Sequence, residues 1–224
     1  MNSEKSPVFA AFTLKITWRI QEIPYNWRVD ASGGAGAIAD IGSHIIGMAR
    51  FLLGPISHVD ADLETVVKSR PIGAGSSERR AVEVDDIARL MVRFERGCRG
   101  TIEANWVATG RKMQLGFELT GAKGSLVYTQ ERLNELLHYR TDGDPRHRVT
   151  PASRRAPASS YGLFCVAPGH QLGFNDLKTI EVAEFLEAIA GGAKARAGFS
   201  RSLGNSEDHR YGDSDHPNCG RGKR

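Results

Sequence analysis

The chain has 224 residues, with 30 Lys and Arg against 26 Asp and Glu and a net charge of +4. That mild balance argues against a nucleic-acid or membrane partner, and no window approaches the ~20 uninterrupted apolar residues of a membrane span. A hydrophobic share of 40% and a charged share of 25% match an ordinary globular chain long enough to bury a core.

The start, Met1-Asn2-Ser3-Glu4-Lys5, carries an acid and makes a poor secretory signal. Cys98, Cys165 and Cys219 are odd in number and far apart, which speaks against a disulfide framework. Free thiols suit a reducing, cytoplasmic location.

In chain order, Val8 to Trp18 reads as a possible strand and Glu22 to Trp27 as a loop around Pro24. The small-residue run Ala31 to Gly36 then leads into a helix predicted over about 37–53. Its apolar positions Ile38, Ile41, Ile45, Met48 and Leu52 keep helical spacing, and Gly54-Pro55 ends it. From Ile56 the period becomes two: Val59, Ala61, Leu63, Thr65 and Val67 alternate with other residues as in a strand. Arg70 to Arg80 reads as a loop. Strands are expected over Ile87 to Phe94, Gly100 to Val107, Met113 to Leu119, Ser125 to Tyr128 and Leu133 to Tyr139, joined by tight turns. Thr141 to Ser160, rich in Pro, Arg and Ser, reads as an exposed loop. A second helix should run from Asn175 or Asp176 to about Ala190, with Leu177, Ile180, Ala183, Phe185, Leu186 and Ile189 on one side. After Ser200 the only hydrophobes are Leu203, Tyr211 and Cys219, so the tail reads as disordered. The expected fold is α+β: an open, mostly antiparallel sheet of about five to six strands with helices packed on one face.

Gly34-Ala35-Gly36-Ala37-Ile38-Ala39 matches the G-x-G-x-x-A dinucleotide fingerprint, with Asp60 about twenty residues on. The context does not match. That motif needs a buried strand just before it, and Asn26 to Ser32 contains none. The plainer reading is a glycine-rich start to the helix, where backbone packs closely.

Asp40 and His44 lie four residues apart on the predicted helix, which places both on one face a turn apart. A histidine beside a carboxylate suits general acid–base work. Equally, Asp40 could serve its own helix N-terminus and His44 fill a core gap.

These residues resemble a known family. Asn26-Trp27-Arg28-Val29-Asp30, the run from Gly33 through Asp40-Ile41-Gly42-Ser43-His44, and Phe51-Leu52-Leu53-Gly54 look like the signature of the glucose–fructose oxidoreductase/inositol dehydrogenase (Gfo/Idh/MocA) family. Further resemblance follows in order: Asp85-Asp86-Ile87-Ala88, the Phe94 to Gly100 hairpin, Gly121 to Leu126, and Pro168-Gly169-His170 with Gly173 to Asp176. The resemblance implies a C-terminal substrate and oligomerisation domain over 27–200, between a poorly matched segment 1–26 and a disordered tail 201–224. It implies His44 as general base or acid on a sugar or polyol hydroxyl, and Asp40 as positioning substrate or His44. Arg28 and His170 become candidate substrate contacts, Arg28 alternatively pairing with an acid near the helix start.

Family members place NAD or NADP on an N-terminal Rossmann domain. The 26 residues before Trp27 are too short for one. The resemblance therefore implies a truncated chain that does not bind the cofactor or turn over alone, and that pairs with itself through the open sheet. The alternative is a non-catalytic binding or dimerisation module. His209, His216 and Cys219 match no zinc spacing, so no metal is expected.

Overall fold

The computed structural model describes residues 9–16, 23–33, 36–142, 148–149, 160–167 and 169–192. Among these residues ten strands and two α-helices follow in chain order: β1 Phe9–Lys15, α1 Ser43–Leu53, β2 Ile56–Glu64, β3 Ser69–Pro71, β4 Arg79–Ala81, β5 Ile87–Phe94, β6 Arg99–Asn105, β7 Gln114–Gly121, β8 Gly124–Thr129, β9 Leu136–Arg140, β10 Arg148–Val149 and α2 Phe174–Ala190. Eight of the strands form one sheet in the order β10-β9-β8-β7-β1-β6-β5-β2, and β3 pairs with β4 in a separate ribbon. All neighbours in the main sheet run antiparallel except β1 and β6, which are parallel.

The α+β class and the mostly antiparallel sheet match the sequence reading, but the strand count rises from five or six to eight. β1, outside the matched segment by that reading, lies in the middle of the sheet between β6 and β7. The sheet therefore begins before residue 27. Its alternation explains the placement: Ala10, Phe12 and Leu14 are buried while the residues between them are not. Gly100 permits the parallel pairing, because a Cβ there would collide with the Ala10 carbonyl oxygen.

One face of the sheet carries the core. Phe12 sits between Phe94 and Phe117, with ring centroids 6.5 and 6.4 Å away. Leu90, Val92, Ile102, Ala104 and Leu119 continue the layer, and α1 lays Ile45, Ala49 and Leu53 on it. Ala31–Leu53 is long and apolar on average though interrupted by Asp40, His44 and Arg50, and its α-helical part, 11 residues long, buries its stripe in this core. Gly54, at φ 85°, ends α1 by donating its N–H to the Arg50 carbonyl.

The sheet extends beyond its helical cover. α1 packs over β1 and β6, so Ser57 to Glu64 in the edge strand β2 are all exposed despite their period-two pattern. In α2 only Ile180 is buried, and Phe185, Leu186 and Ile189 face out. Helices packed on one face thus reduces, among the described residues, to α1.

The expected 70–80 loop holds the β3–β4 ribbon instead. The Arg79 guanidinium donates to the Ser69 hydroxyl and carbonyl, and Arg80 lies 4.2 Å over the Tyr25 ring. Trp106, Phe117 and Tyr128 pack the sheet, Phe117 stacking on Tyr128 at 5.6 Å. The tail after residue 200 and most of 141–160 lie outside the described residues.

Candidate functional site

The site grows from the chain just before β5. Asp86 is fully buried and accepts from the Val66 and Val67 amides at 2.8 and 2.7 Å and from the Trp106 indole at 2.7 Å. Arg70, also buried, stands 3.5 Å from it. This knot fixes its neighbour Asp85. One Asp85 carboxylate oxygen accepts from the Ile38 amide at 2.8 Å, and its backbone carbonyl accepts from the Ala37 amide at 2.8 Å. Burial pushes the Asp85 carboxyl up from its ordinary value, against the lowering effect of the Ile38 hydrogen bond.

Residues Ile38–Gly42 form a π-helical turn that runs straight into α1. Its hydrogen bonds reach from i to i+5. Asp40 lies in this turn and His44 four residues on, in the first turn of α1. The Asp40 carboxylate stands 3.3 Å from Arg28 Nε, and no hydrogen bond joins it to His44 among the described residues. Arg28 is itself held firmly. Its amide donates to the Asn26 side chain at 3.0 Å, its carbonyl accepts from Gly36, and its guanidinium lies 4.3 Å over the exposed Trp27 ring. Of the two roles left open for Arg28, the structure displays the pairing with an acid. His44 is exposed, not a core filler, and its ring makes no hydrogen bond among the described residues.

His170 is exposed on a separate loop. Asn134 anchors that loop by donating to the Leu172 carbonyl at 2.8 Å and accepting from the Leu172 amide at 2.9 Å. No described contact joins His170 to Arg28, Asp40 or His44. Asp85 and Asn134 are the positions that residue patterns passed over as site residues. The adjacent acids at 85 and 86, before an apolar strand, were the available signal for the first.

The glycine run does not fit a dinucleotide. Gly34 and Ala35 lie outside the described residues, but Gly36, at φ 111°, faces Asp85 so closely that a Cβ would collide with the carboxylate. A phosphate at this helix start would need the amides of 37 and 38, and Asp85 already takes both. The backbone leading in, from 23 to 33, forms 3-10 turns and no strand. Among the described residues no group of three or more His, Cys, Asp or Glu could hold a metal. His209, His216 and Cys219 lie outside them.

The sequence model of the GFO/IDH/MocA C-terminal domain matches residues 10–127, from β1 into β8 and across the whole Arg28–Asp40–His44 turn. The chain belongs to the Gfo/Idh/MocA family. Among curated Gfo/Idh/MocA relatives, the levoglucosan dehydrogenase of Pseudarthrobacter phenanthrenivorans is 34% identical over 191 residues, which is 79% of this chain and 49% of that protein. An uncharacterized oxidoreductase of Synechocystis is 25% identical over 135 residues, 58% of this chain and 36% of that one. Among solved structures, levoglucosan dehydrogenase in complex with NADH and levoglucosan superposes with TM-score 0.76 at 32% identity, covering 89% of this chain and 53% of that one. An NAD binding oxidoreductase from Klebsiella pneumoniae gives 0.75 at 32% identity, covering 88% and 54%. The chain thus spans about half the length of these relatives or less.

Proposed function

We propose that this chain supplies the substrate side of an NAD(P)-dependent oxidoreductase acting on a sugar or polyol hydroxyl, with His44 exchanging the hydroxyl proton. The observation that carries the reading is the exposed, uncommitted imidazole of His44, on the helix that follows the Asp40–Arg28 pair within the matched domain. A neutral imidazole accepts the hydroxyl proton as the carbon is oxidised and returns it in the reverse direction. Asp40 and Arg28 present a fixed charge pair that orients the sugar hydroxyls beside it. His170 adds a contact from its own loop. The substrate class comes by likeness to relatives whose structures hold levoglucosan or L-sorbose. NAD or NADP likewise enters by likeness; the glycine turn does not hold it, so in this reading the chain alone binds sugar without turnover. A cytoplasmic location belongs to the same reading.

Titrating the chain with levoglucosan, L-sorbose and an inositol while following the His44 imidazole carbon–proton resonance by NMR tests this. At least one of the three should move that resonance saturably, and NADH fluorescence should show no saturable binding. A His44 resonance indifferent to all three overturns the reading, and saturable NADH binding overturns the account of the glycine turn.

The uncovered sheet face supports the second part of the reading, self-association with or without catalysis. Phe9, Met91, Leu137 and Tyr139 share that face by register. All four are exposed, Met91 to 67%. Sedimentation should find a dimer that Met91→Glu dissociates. A wild-type monomer at micromolar concentration counts against pairing through the sheet.

A further inference from the structure

We propose that Asp85 is a positioning residue for the Asp40/His44 turn: seated on the amides that open the turn, it sets where both side chains stand relative to the sheet. The purpose of that turn rests on the functional reading above; its mechanical dependence on Asp85 does not.

The turn has no cap of its own. Ala37 precedes it and offers no side-chain acceptor, and Gly42, before α1, offers none either. The first amides of a helix need acceptors from elsewhere, and here they come from a residue 47 positions further along the chain from Ile38. The linkage then runs directly to the site. Asp85 packs against Gly36, which lacks the Cβ that would push it away. The Gly36 carbonyl accepts from the Asp40 amide at 2.9 Å, and the Gly36 amide donates to the Arg28 carbonyl at 3.1 Å. Arg28 and Asp40 are thus both tied to Gly36, against which Asp85 packs. Asp85 is rigid in turn, because Asp86 beside it is locked into the buried knot. The candidate site is therefore placed from the sheet core, not from the glycine-rich segment that precedes it in sequence.

What the cap needs is an oxygen acceptor, which Asp85→Asn keeps and Asp85→Ala removes. Amide hydrogen exchange on the full chain reads this without any ligand. In Asp85→Ala, exchange at Ile38 through Asp40 should speed up about tenfold, the scale of a lost helix cap, while Phe12 and Ile102 in the sheet stay protected. Asp85→Asn should restore wild-type exchange to within about twofold. Where the wild type shows the sugar response of His44, Asp85→Ala should weaken apparent sugar affinity about tenfold and Asp85→Asn should not. An unchanged turn in Asp85→Ala, a uniform loss across the whole chain, or no rescue by asparagine overturns the proposal. If Asp85→Ala does not fold, Gly36→Ala displaces the carboxylate by crowding, and unchanged exchange at Ile38 in that variant overturns it equally. A wild type without any sugar response refutes the functional reading and leaves the exchange result to decide the positioning claim.

Discussion

Replacing Asp86 with alanine is expected to cost about 3–5 kcal/mol of stability, the range for breaking a buried, hydrogen-bonded ion pair. The carboxylate has no exposed surface. It serves the Val66 and Val67 amides through one oxygen, the Trp106 indole through the other, and stands against the buried Arg70. Alanine strips all of these donors of this acceptor, and the Trp106 indole and Arg70 lose it inside the protein, where water cannot replace it. Asp86→Asn retains one oxygen and should lose less than Asp86→Ala. Urea unfolding followed by tryptophan fluorescence measures both. A loss below about 1 kcal/mol for alanine would show that the knot does not hold the 65–70 segment to the sheet.

Phe12→Ala should cost about 3–5 kcal/mol as well, by a different mechanism. Phe12 is fully buried at the centre of the sheet and touches rings from two other strands, Phe94 and Phe117. Truncation removes a large apolar surface and leaves a cavity that the surrounding strands cannot close without breaking register. Gly100→Ala provides an independent check on the same strand, because its methyl group meets the Ala10 backbone and not a side chain that could move. Thermal unfolding of the two variants decides the matter. Near-wild-type stability in both would mean that residues 9–15 do not form the central strand.

Much of the fold was readable from local pattern. The alternation in Ile87 to Phe94 and the glycine stop at Gly54 depend on a few neighbouring residues, and the structure displays both as expected. The resemblance carried by Asp40-Ile41-Gly42-Ser43-His44 likewise led to the Gfo/Idh/MocA family that the domain match establishes. The π-helical turn at Ile38–Gly42 carries Asp40, whose carboxylate pairs with Arg28 and forms no bond to His44. The exposure of β2 and α2 was not legible, because an apolar pattern states what a segment can cover, not whether anything covers it.

The amino-acid sequence alone determined the long strands, the two helices, the antiparallel hairpins and the family, because each is written in residues close together along the chain. Only the tertiary structure decided that residues 9–15 enter the middle of the sheet, that Asp85 occupies the amides a nucleotide phosphate would need, and that Arg28 is the partner of Asp40. Those are pairings between distant segments, and their energies come from burial and hydrogen-bond geometry that exist only once the sheet has assembled.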